Sequence, residues 1–113
     1  MNKKVVVFGA TGNLGAPVSV KLKNDGYDVI AVGGRKDDHG FFKEKGMSYY
    51  SVNIKDKKSF EVLDEIGDVY AVCHFAGSLP SRYAYDPQDL IESITVGTLN
   101  VLLFMRKHNC KKI

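Results

Sequence analysis

Three glycines near the N-terminus have the spacing of a turn that binds an anion. They lie in the segment Gly9-Ala10-Thr11-Gly12-Asn13-Leu14-Gly15. The first backbone amides of a helix are unpaired and carry the positive end of the helix dipole, so they attract phosphate groups. A phosphate reaches such amides only where no Cβ stands in the way. The spacing therefore predicts a phosphate-binding turn.

The residues on either side of this loop indicate which ligand the turn binds. Residues 5–8 are a continuous apolar run, typical of a buried parallel strand, and residues 13–24 have the pattern of an amphipathic helix. A glycine-rich turn between a strand and a helix is the context of the dinucleotide-binding motif. The sequence therefore predicts a site for the pyrophosphate of NAD(H) or NADP(H). The alternative is a purely structural turn, but that does not explain why three glycines occur together.

Each glycine has its own predicted task in this site. Gly9 lets the chain turn sharply after the strand, Gly12 lets the pyrophosphate approach the backbone, and Gly15 lets the helix pack closely. The spacing differs slightly from the usual motif, since two residues rather than one separate the first two glycines. In the helix, a stripe at every fourth position is expected to face inward: Leu14, Val18 and Leu22.

The remaining sequence alternates between strand and helix patterns. Strands are predicted at residues 3–8, 28–32, 48–52 and 69–75, and further helices at 41–45, after Asp56 or Ser59, and at 87–108. Leu90, Ile94 and Val101 belong to the predicted inner face of the last helix, with Thr98, Leu99 and Met105. This order predicts an α/β fold of the doubly wound Rossmann type, with a parallel sheet in the order 3-2-1-4. Residues 111–113 read as the approach to a fifth strand, so residues 1–113 are expected to be an incomplete NAD(P)-binding domain.

Composition excludes several other classes of protein. The chain has 113 residues, with 16 Lys and Arg against 13 Asp and Glu, and a net charge of +3. No basic stripe with interleaved aromatic residues predicts nucleic-acid binding. No apolar run reaches the roughly 18–20 residues of a membrane helix. Cys73 and Cys110 form no disulfide framework and no signal peptide is visible, so a cytoplasmic protein is expected.

Four segments together resemble a known family. Besides the glycine loop they are residues 53–56 (Asn-Ile-Lys-Asp), 73–77 (Cys-His-Phe-Ala-Gly) and 96–102 (Val-Gly-Thr-Leu-Asn-Val-Leu). In order and spacing they are similar to the extended short-chain dehydrogenase/reductases, the NAD-dependent epimerase/dehydratase family. This resemblance covers the whole chain. It implies that the parent protein epimerises, dehydrates or reduces a nucleotide sugar, with hydride passing to the nicotinamide.

The resemblance also assigns roles to particular residues. It implies that the pyrophosphate is lined by Thr11, Asn13 and Leu14, and that the adenine is contacted by Asn53 and Ile54. The ribose and nicotinamide would lie along Phe75, Ala76 and Gly77, followed by Ser78 and Leu79. Arg82, Tyr83 and Tyr85 belong to a loop that would overhang the crevice, as a substrate-contacting or a plain surface loop.

The sequence departs from the family pattern at the end of the second strand. Members that prefer NAD have an acidic residue there, which accepts hydrogen bonds from the adenosine ribose and repels a 2′-phosphate. This chain has Gly33, Gly34 and Arg35. Because Arg35 can pair with a 2′-phosphate, NADP is slightly favoured over NAD. Asp37 and Asp38 are close enough in sequence to serve NAD instead.

Two further departures concern catalysis. Ile94 stands where the family commonly has an active-site asparagine, and Ser93 or Thr95 is the candidate substitute. The catalytic Tyr-x-x-x-Lys motif is absent from the chain. No catalytic residue is therefore assigned, and the chain is expected to be the inactive N-terminal portion of a longer enzyme. The alternatives are a non-catalytic NAD(P)-binding module or sensor, or an inactive truncated fragment.

The other titratable residues have plainer interpretations. His74 reads as a residue at the end of a strand, with contact to the cofactor as the alternative, and no histidine has a partner at metal-ligand spacing. Asp64 and Glu65 read as helix surface charge, and Asp86 and Asp89 as a helix N-terminal cap. The exposed edge of the fourth strand, or the long helix, is expected to support a homo-oligomer.

Overall fold

A computed structural model describes residues 3–77 and 86–113 of the chain. The sequence-based interpretations of Ser78, Leu79, Arg82, Tyr83 and Tyr85 fall outside these residues. The strands are β1 (Lys4–Phe8), β2 (Asp28–Gly33), β3 (Ser48–Ser51) and β4 (Ala71–His74). They form one parallel sheet in the order β3-β2-β1-β4, in which Val6 of β1 lies between Ile30 and Val72. The predicted fold class and strand order are confirmed.

The helices follow the predicted order. They are α1 (Gly15–Asn24), α2 (Phe41–Glu44), a 3₁₀ helix (Lys57–Ile66) and a long helix in three uninterrupted segments, Pro87–Ile91, Glu92–Val96 and Gly97–Lys107. The middle segment of the long helix is a π-helix. Asp56 caps the 3₁₀ helix by accepting from the Lys58 amide, and Asp86 caps the long helix by accepting from the Gln88 amide. Asp56, rather than the alternative Ser59, is therefore the N-terminal cap of the 3₁₀ helix.

Two apolar layers cover the two faces of the sheet. Side chains of a strand alternate between faces, so Val5 and Val7 pack under α1 and α2 with Phe42. Val6 and Phe8 pack on the opposite face, where the 3₁₀ helix and the long helix contribute Phe60, Leu63, Val101, Phe104 and Met105. Helices on both faces explain why the strands are apolar at consecutive positions.

The predicted inner stripe of α1 is wrong at Leu14. Leu14 is the residue before the helix and is 68% exposed, whereas Gly15 and Ser19 are buried. The Ser19 hydroxyl donates to the Gly15 carbonyl at 2.7 Å, which satisfies this polar group inside the packed face. Small residues let α1 approach the sheet closely, so backbone proximity rather than side-chain volume determines its inner face.

The predicted inner face of the long helix is wrong at Ile94 and Leu99, which are 52% and 54% exposed. The buried residues on this helix are Ser93, Gly97, Asn100, Val101, Phe104 and Met105. The π segment closes hydrogen bonds over five residues instead of four, which offsets the positions before it from those after it. An inner face predicted with one constant α-helical period therefore differs from the buried face of this helix.

The last residues lie beside β4. The Val72 amide donates to the Lys112 carbonyl at 2.9 Å, and the Val69 amide to the His108 carbonyl at 3.0 Å. Lys112, in the segment predicted to approach a fifth strand, therefore lies at the β4 edge that faces away from β1. These bonds cover part of that edge. Among the described residues, no helix is long and apolar enough to cross a membrane.

Candidate cofactor site

The glycine loop begins where β1 ends and is tied to the end of β2. The amides of Gly9 and Ala10 both donate to the Val32 carbonyl, at 2.9 and 3.0 Å. Gly9 has a φ of 80°, and a Cβ there would lie 2.6 Å from the Ala76 nitrogen. Gly9 is therefore required both by its backbone conformation and by its contact with the segment after β4.

Gly15 is required for a different reason. A Cβ on Gly15 would overlap the carbonyl oxygen of Gly9 and lie 2.8 Å from the Ala10 Cα. The start of α1 is therefore packed directly on the loop backbone. This contact fixes the helix N-terminus relative to the end of β1.

Gly12 is not required by the protein itself. It is exposed, and a Cβ there would meet only the Gly9 carbonyl oxygen, at an ordinary distance of 3.4 Å. The neighbouring amides of Asn13 and Leu14 have no acceptor within the described part of the chain. Leu14 provides no side-chain cap, and the first turn of α1 contains no acidic residue. The helix N-terminus thus presents unpaired donors beside a position that glycine keeps clear.

A cleft of about 330 Å³ lies next to this loop, at the carboxyl ends of the strands. Five of the predicted site residues line it: Gly9, Asn53, Ile54, Ala76 and Gly77. The other lining residues are Phe8, Val32, Gly33, Gly34, Val52, Lys55 and Ser93. Of these, Ser93 was predicted as a candidate substitute for the family's asparagine, and the others were not predicted as site residues. The strand order reverses at β1, and ligands of open α/β sheets bind at such a switch point.

A second cavity, of about 460 Å³, lies around the loop that follows β2. It brings together two predicted residues, Thr11 and Arg35. Asp38 and His39 of the loop after β2, and residues of α1 and α2, complete its lining. The remaining predicted residues line neither cavity: Gly12, Asn13, Leu14, Gly15 and Phe75. The first four form the loop and helix start beside the cleft, and Phe75 is 42% exposed.

The two acidic residues after β2 are engaged by the local backbone. Asp37 Oδ1 accepts from the His39 amide, while Asp38 Oδ1 and Oδ2 accept from the amides of Gly40 and Phe42. Desolvation raises the pKa of Asp38, but these backbone hydrogen bonds outweigh it and leave the pKa below its ordinary value. Both carboxylates therefore already have donors.

The position after β2 also has limited space for an acidic side chain. A Cβ on Gly33 would lie 2.9 Å from the Tyr49 hydroxyl and 3.0 Å from Thr11. The same hydroxyl donates to the Arg35 carbonyl at 2.6 Å and so holds the loop against β3. Nothing lies within 4 Å of a Cβ on Gly34, so the free space is at Gly34.

Ser93 and Thr95 are the two residues that the sequence offers in place of the family's asparagine. Ser93 is 3% exposed and lines the cleft, whereas Ile94 and Thr95 face outward. Ser93 is therefore the hydroxyl that the long helix places at this cleft. The π segment that contains it is the structural feature that periodicity alone does not reveal.

His74 ends β4, as expected, and lines neither cavity. Its Nε2 lies 3.2 Å from the Thr98 hydroxyl, and its Nδ1 is buried and has no hydrogen-bond partner among the described residues. Burial lowers the pKa of His74, so the imidazole is neutral at neutral pH. This histidine connects β4 to the long helix.

The other candidate ligands form no metal site within the described ranges. Asp64 pairs with Lys107, Asp89 pairs with Lys55, and both cysteines are free. A groove of about 460 Å³ between the 3₁₀ helix and the long helix is lined by His108 and Lys107, among others. It shares no residue with the cleft or with the predicted site.

Comparison with known proteins agrees with this geometry. The model of the NAD dependent epimerase/dehydratase family matches residues 5–113. A UDP-glucose 4-epimerase from Pisum sativum is 27% identical over 99% of this chain and 35% of its own length. A probable UDP-arabinose 4-epimerase from Arabidopsis thaliana is 29% identical over 96% of this chain and 29% of its own length. This chain thus spans about a third of the length of these relatives.

Solved structures give the same result. UDP-glucose 4-epimerase from Bifidobacterium longum, in complex with NAD+ and UDP, is 25% identical with a TM-score of 0.79, over 95% of this chain and 34% of that one. L-threonine dehydrogenase from Clostridium difficile is also 25% identical with a TM-score of 0.79, over 98% and 35%. The predicted resemblance is confirmed: the chain belongs to the NAD dependent epimerase/dehydratase family, as an NAD-binding part of its fold.

Proposed function

We propose that this chain binds NADP(H), and NAD(H) more weakly, with the pyrophosphate on the amides at the start of α1. The observation that carries this proposal is the contrast between the glycines. Packing requires Gly9 and Gly15, but only a ligand close to the backbone gives a reason for glycine at Gly12. Unpaired amides at Asn13 and Leu14 supply the donors.

The rest of the dinucleotide would lie along the cleft. Asn53 and Ile54 would face the adenine, while Phe75, Ala76 and Gly77 would run along the ribose and nicotinamide. When bound, the nicotinamide supplies the hydride-accepting carbon. The residues of this chain orient it and exclude water, because Phe8 at the end of β1, Val32 near the end of β2 and Val52 after β3 give the cleft an apolar lining.

The preference for NADP rests on charge at the end of β2. Arg35 lines a cavity beside the glycine loop, together with Thr11. Asp37 and Asp38, the acids that could accept from a ribose, are already used by backbone amides. A guanidinium can pair with a 2′-phosphate through two charge-assisted hydrogen bonds. These features favour NADP, with NAD as the second candidate.

For the whole protein we propose an enzyme that acts on a nucleotide sugar in the cytoplasm. The support is the set of matched proteins, which includes epimerases of UDP-sugars. In this proposal the chain is an incomplete Rossmann domain without catalytic residues of its own, and Tyr-x-x-x-Lys and the substrate-binding part lie outside it. The second candidate is a non-catalytic NAD(P)-binding module or sensor.

Titration of the chain with NADPH and NADH, followed by nicotinamide fluorescence, tests the binding proposal. We expect saturable binding of both, with a lower Kd for NADPH, and competition by inorganic pyrophosphate. No saturable binding of either nucleotide by folded protein would contradict the proposal. Tighter binding of NADH would contradict the preference for NADP alone.

A further inference from the structure

The long helix holds the loop that forms the adenine end of the cleft. The Asn100 side-chain amide donates to the Ile54 carbonyl oxygen at 2.8 Å, and Asn100 is 6% exposed. One turn earlier, a Cβ on Gly97 would lie 2.6 Å from the Ile54 Cδ1. Ile54 is therefore fixed by the helix through both its backbone and its side chain.

The next loop residue is held by the same helix. Lys55 Nζ forms an ion pair with Asp89, near the start of the long helix, and each side chain is 34% exposed. Glu92 and Asp86 add negative charge around this lysine. Lys55 and Ile54 both line the cleft, so the two attachments act on consecutive residues of one wall.

Within the described residues, the other hydrogen bonds of residues 53–55 are local. The Asn53 amide donates to the Ser59 hydroxyl at 3.1 Å, and Asn53 Oδ1 accepts from the Lys55 amide. These bonds give the loop its turn, but they do not set its distance from the long helix. A buried donor that satisfies a backbone carbonyl is costly to remove, so Asn100 is suited to set this distance.

We propose that Asn100 and the Lys55–Asp89 pair are positioning residues that fix residues 53–55 as the adenine-facing wall of the cleft. This inference rests on the proposed function. It assigns the long helix a role in recognising the adenosine half of the dinucleotide, separate from the pyrophosphate contacts of the glycine loop. The two halves can therefore be tested independently.

The first test is Asn100→Ala, which removes the donor without placing a charge in this buried position. We expect the Kd for NADPH to rise about tenfold, the effect of losing one buried hydrogen bond. Inorganic pyrophosphate needs only the glycine loop, so its own Kd should change less than about twofold. Circular dichroism is used to choose a temperature at which both proteins are folded.

The outcomes separate this inference from the proposed function. An unchanged NADPH affinity, or an equal loss for NADPH and pyrophosphate, would overturn the positioning role, since the latter indicates general loss of structure. Failure of the unaltered chain to bind NADPH at all would instead overturn the proposed function.

The ion pair has a matched control in the Lys107–Asp64 pair, which joins the long helix to the 3₁₀ helix. Asp89→Asn should raise the Kd for NADPH about threefold at low salt, and less at high salt, because exposed pairs are screened. The exchanged pair Lys55→Asp with Asp89→Lys should recover most of the affinity. Asp64→Asn breaks the Lys107–Asp64 pair, which is remote from the cleft, and should leave the affinity unchanged. Equal effects of Asp89→Asn and Asp64→Asn would overturn the role of this pair.

Discussion

Gly15 and Gly9 are in backbone contact, since a Cβ on Gly15 would overlap the carbonyl oxygen of Gly9. Gly12, between them, has room for a methyl group on the protein side. The three glycines of one motif therefore have different physical tasks. Two of them build the turn, and we propose that the third leaves space for a ligand.

This difference predicts opposite phenotypes for alanine substitutions. Gly15→Ala should destabilise the chain by about 3 kcal/mol or more, because backbone cannot move aside as a side chain can. Gly12→Ala should change stability by less than about 1 kcal/mol but weaken NADPH binding at least tenfold. Urea unfolding and fluorescence titration measure the two effects. Normal NADPH binding by Gly12→Ala would contradict the role assigned to Gly12.

Gly97 and Ile54 provide a test of the packing between the long helix and the cleft. Gly97→Ala places a methyl group against Ile54, so we expect overpacking that costs about 1–3 kcal/mol. Ile54→Val removes the Cδ1 that the new methyl group would meet. The double variant should therefore be more stable than Gly97→Ala alone, in thermal unfolding. Additive losses would show that Ile54 does not take up the contact.

The choice between the two cofactors is tested at the end of β2. Arg35→Ala should raise the Kd for NADPH about tenfold, because one charge-assisted hydrogen bond contributes a free energy of that size. The Kd for NADH should remain nearly unchanged. Gly34→Asp uses the free space at Gly34 to place a carboxylate there, and should favour NADH further. The ratio of the two Kd values is the measurement. Lys36→Ala, a neighbouring loss of one positive charge, is the control and should leave the ratio unchanged.

The Asp38 carboxylate makes the loop after β2 sensitive to acid. Its pKa is below the ordinary value in the folded chain, so its stabilising effect is complete above the unfolded pKa. The effect is lost as the pH falls through the lower, folded pKa, which places the change below about pH 4. The amide resonances of Gly40 and Phe42 should shift together in that range. Asp38→Asn should abolish this shared titration, and a midpoint above pH 4 would contradict the expectation.

The exposed face of the long helix predicts self-association. Ile91, Leu99 and Leu102 are 63%, 54% and 48% exposed, while Lys112 already covers part of the β4 edge. We therefore expect a homo-oligomer through the helix rather than through the sheet. Light scattering should give a mass above that of one chain, and Leu99→Asp should reduce it. Arg106→Asp is the control on the same helix. A monomer at high concentration would contradict this expectation.

The sequence by itself determined the fold class, the strand order and the position of the glycine loop. Each depends on local patterns: consecutive apolar residues in strands covered on both faces, and glycines at the turn from β1 to α1. The family resemblance was also carried by short local segments. Asp56 and Asp86 could be predicted as caps because a cap depends only on the next few residues.

Only the tertiary structure decided which residues meet across elements. The π segment moved Ile94 outward and placed Ser93 at the cleft, and no single helical period could have predicted that offset. Leu14 proved exposed because α1 packs through Gly15 and Ser19. The bond between Asn100 and Ile54 joins residues 46 positions apart in the chain, and such contacts depend on how the long helix is laid on the sheet. Local patterns determine elements, whereas the separation of two side chains depends on the packing of those elements against one another.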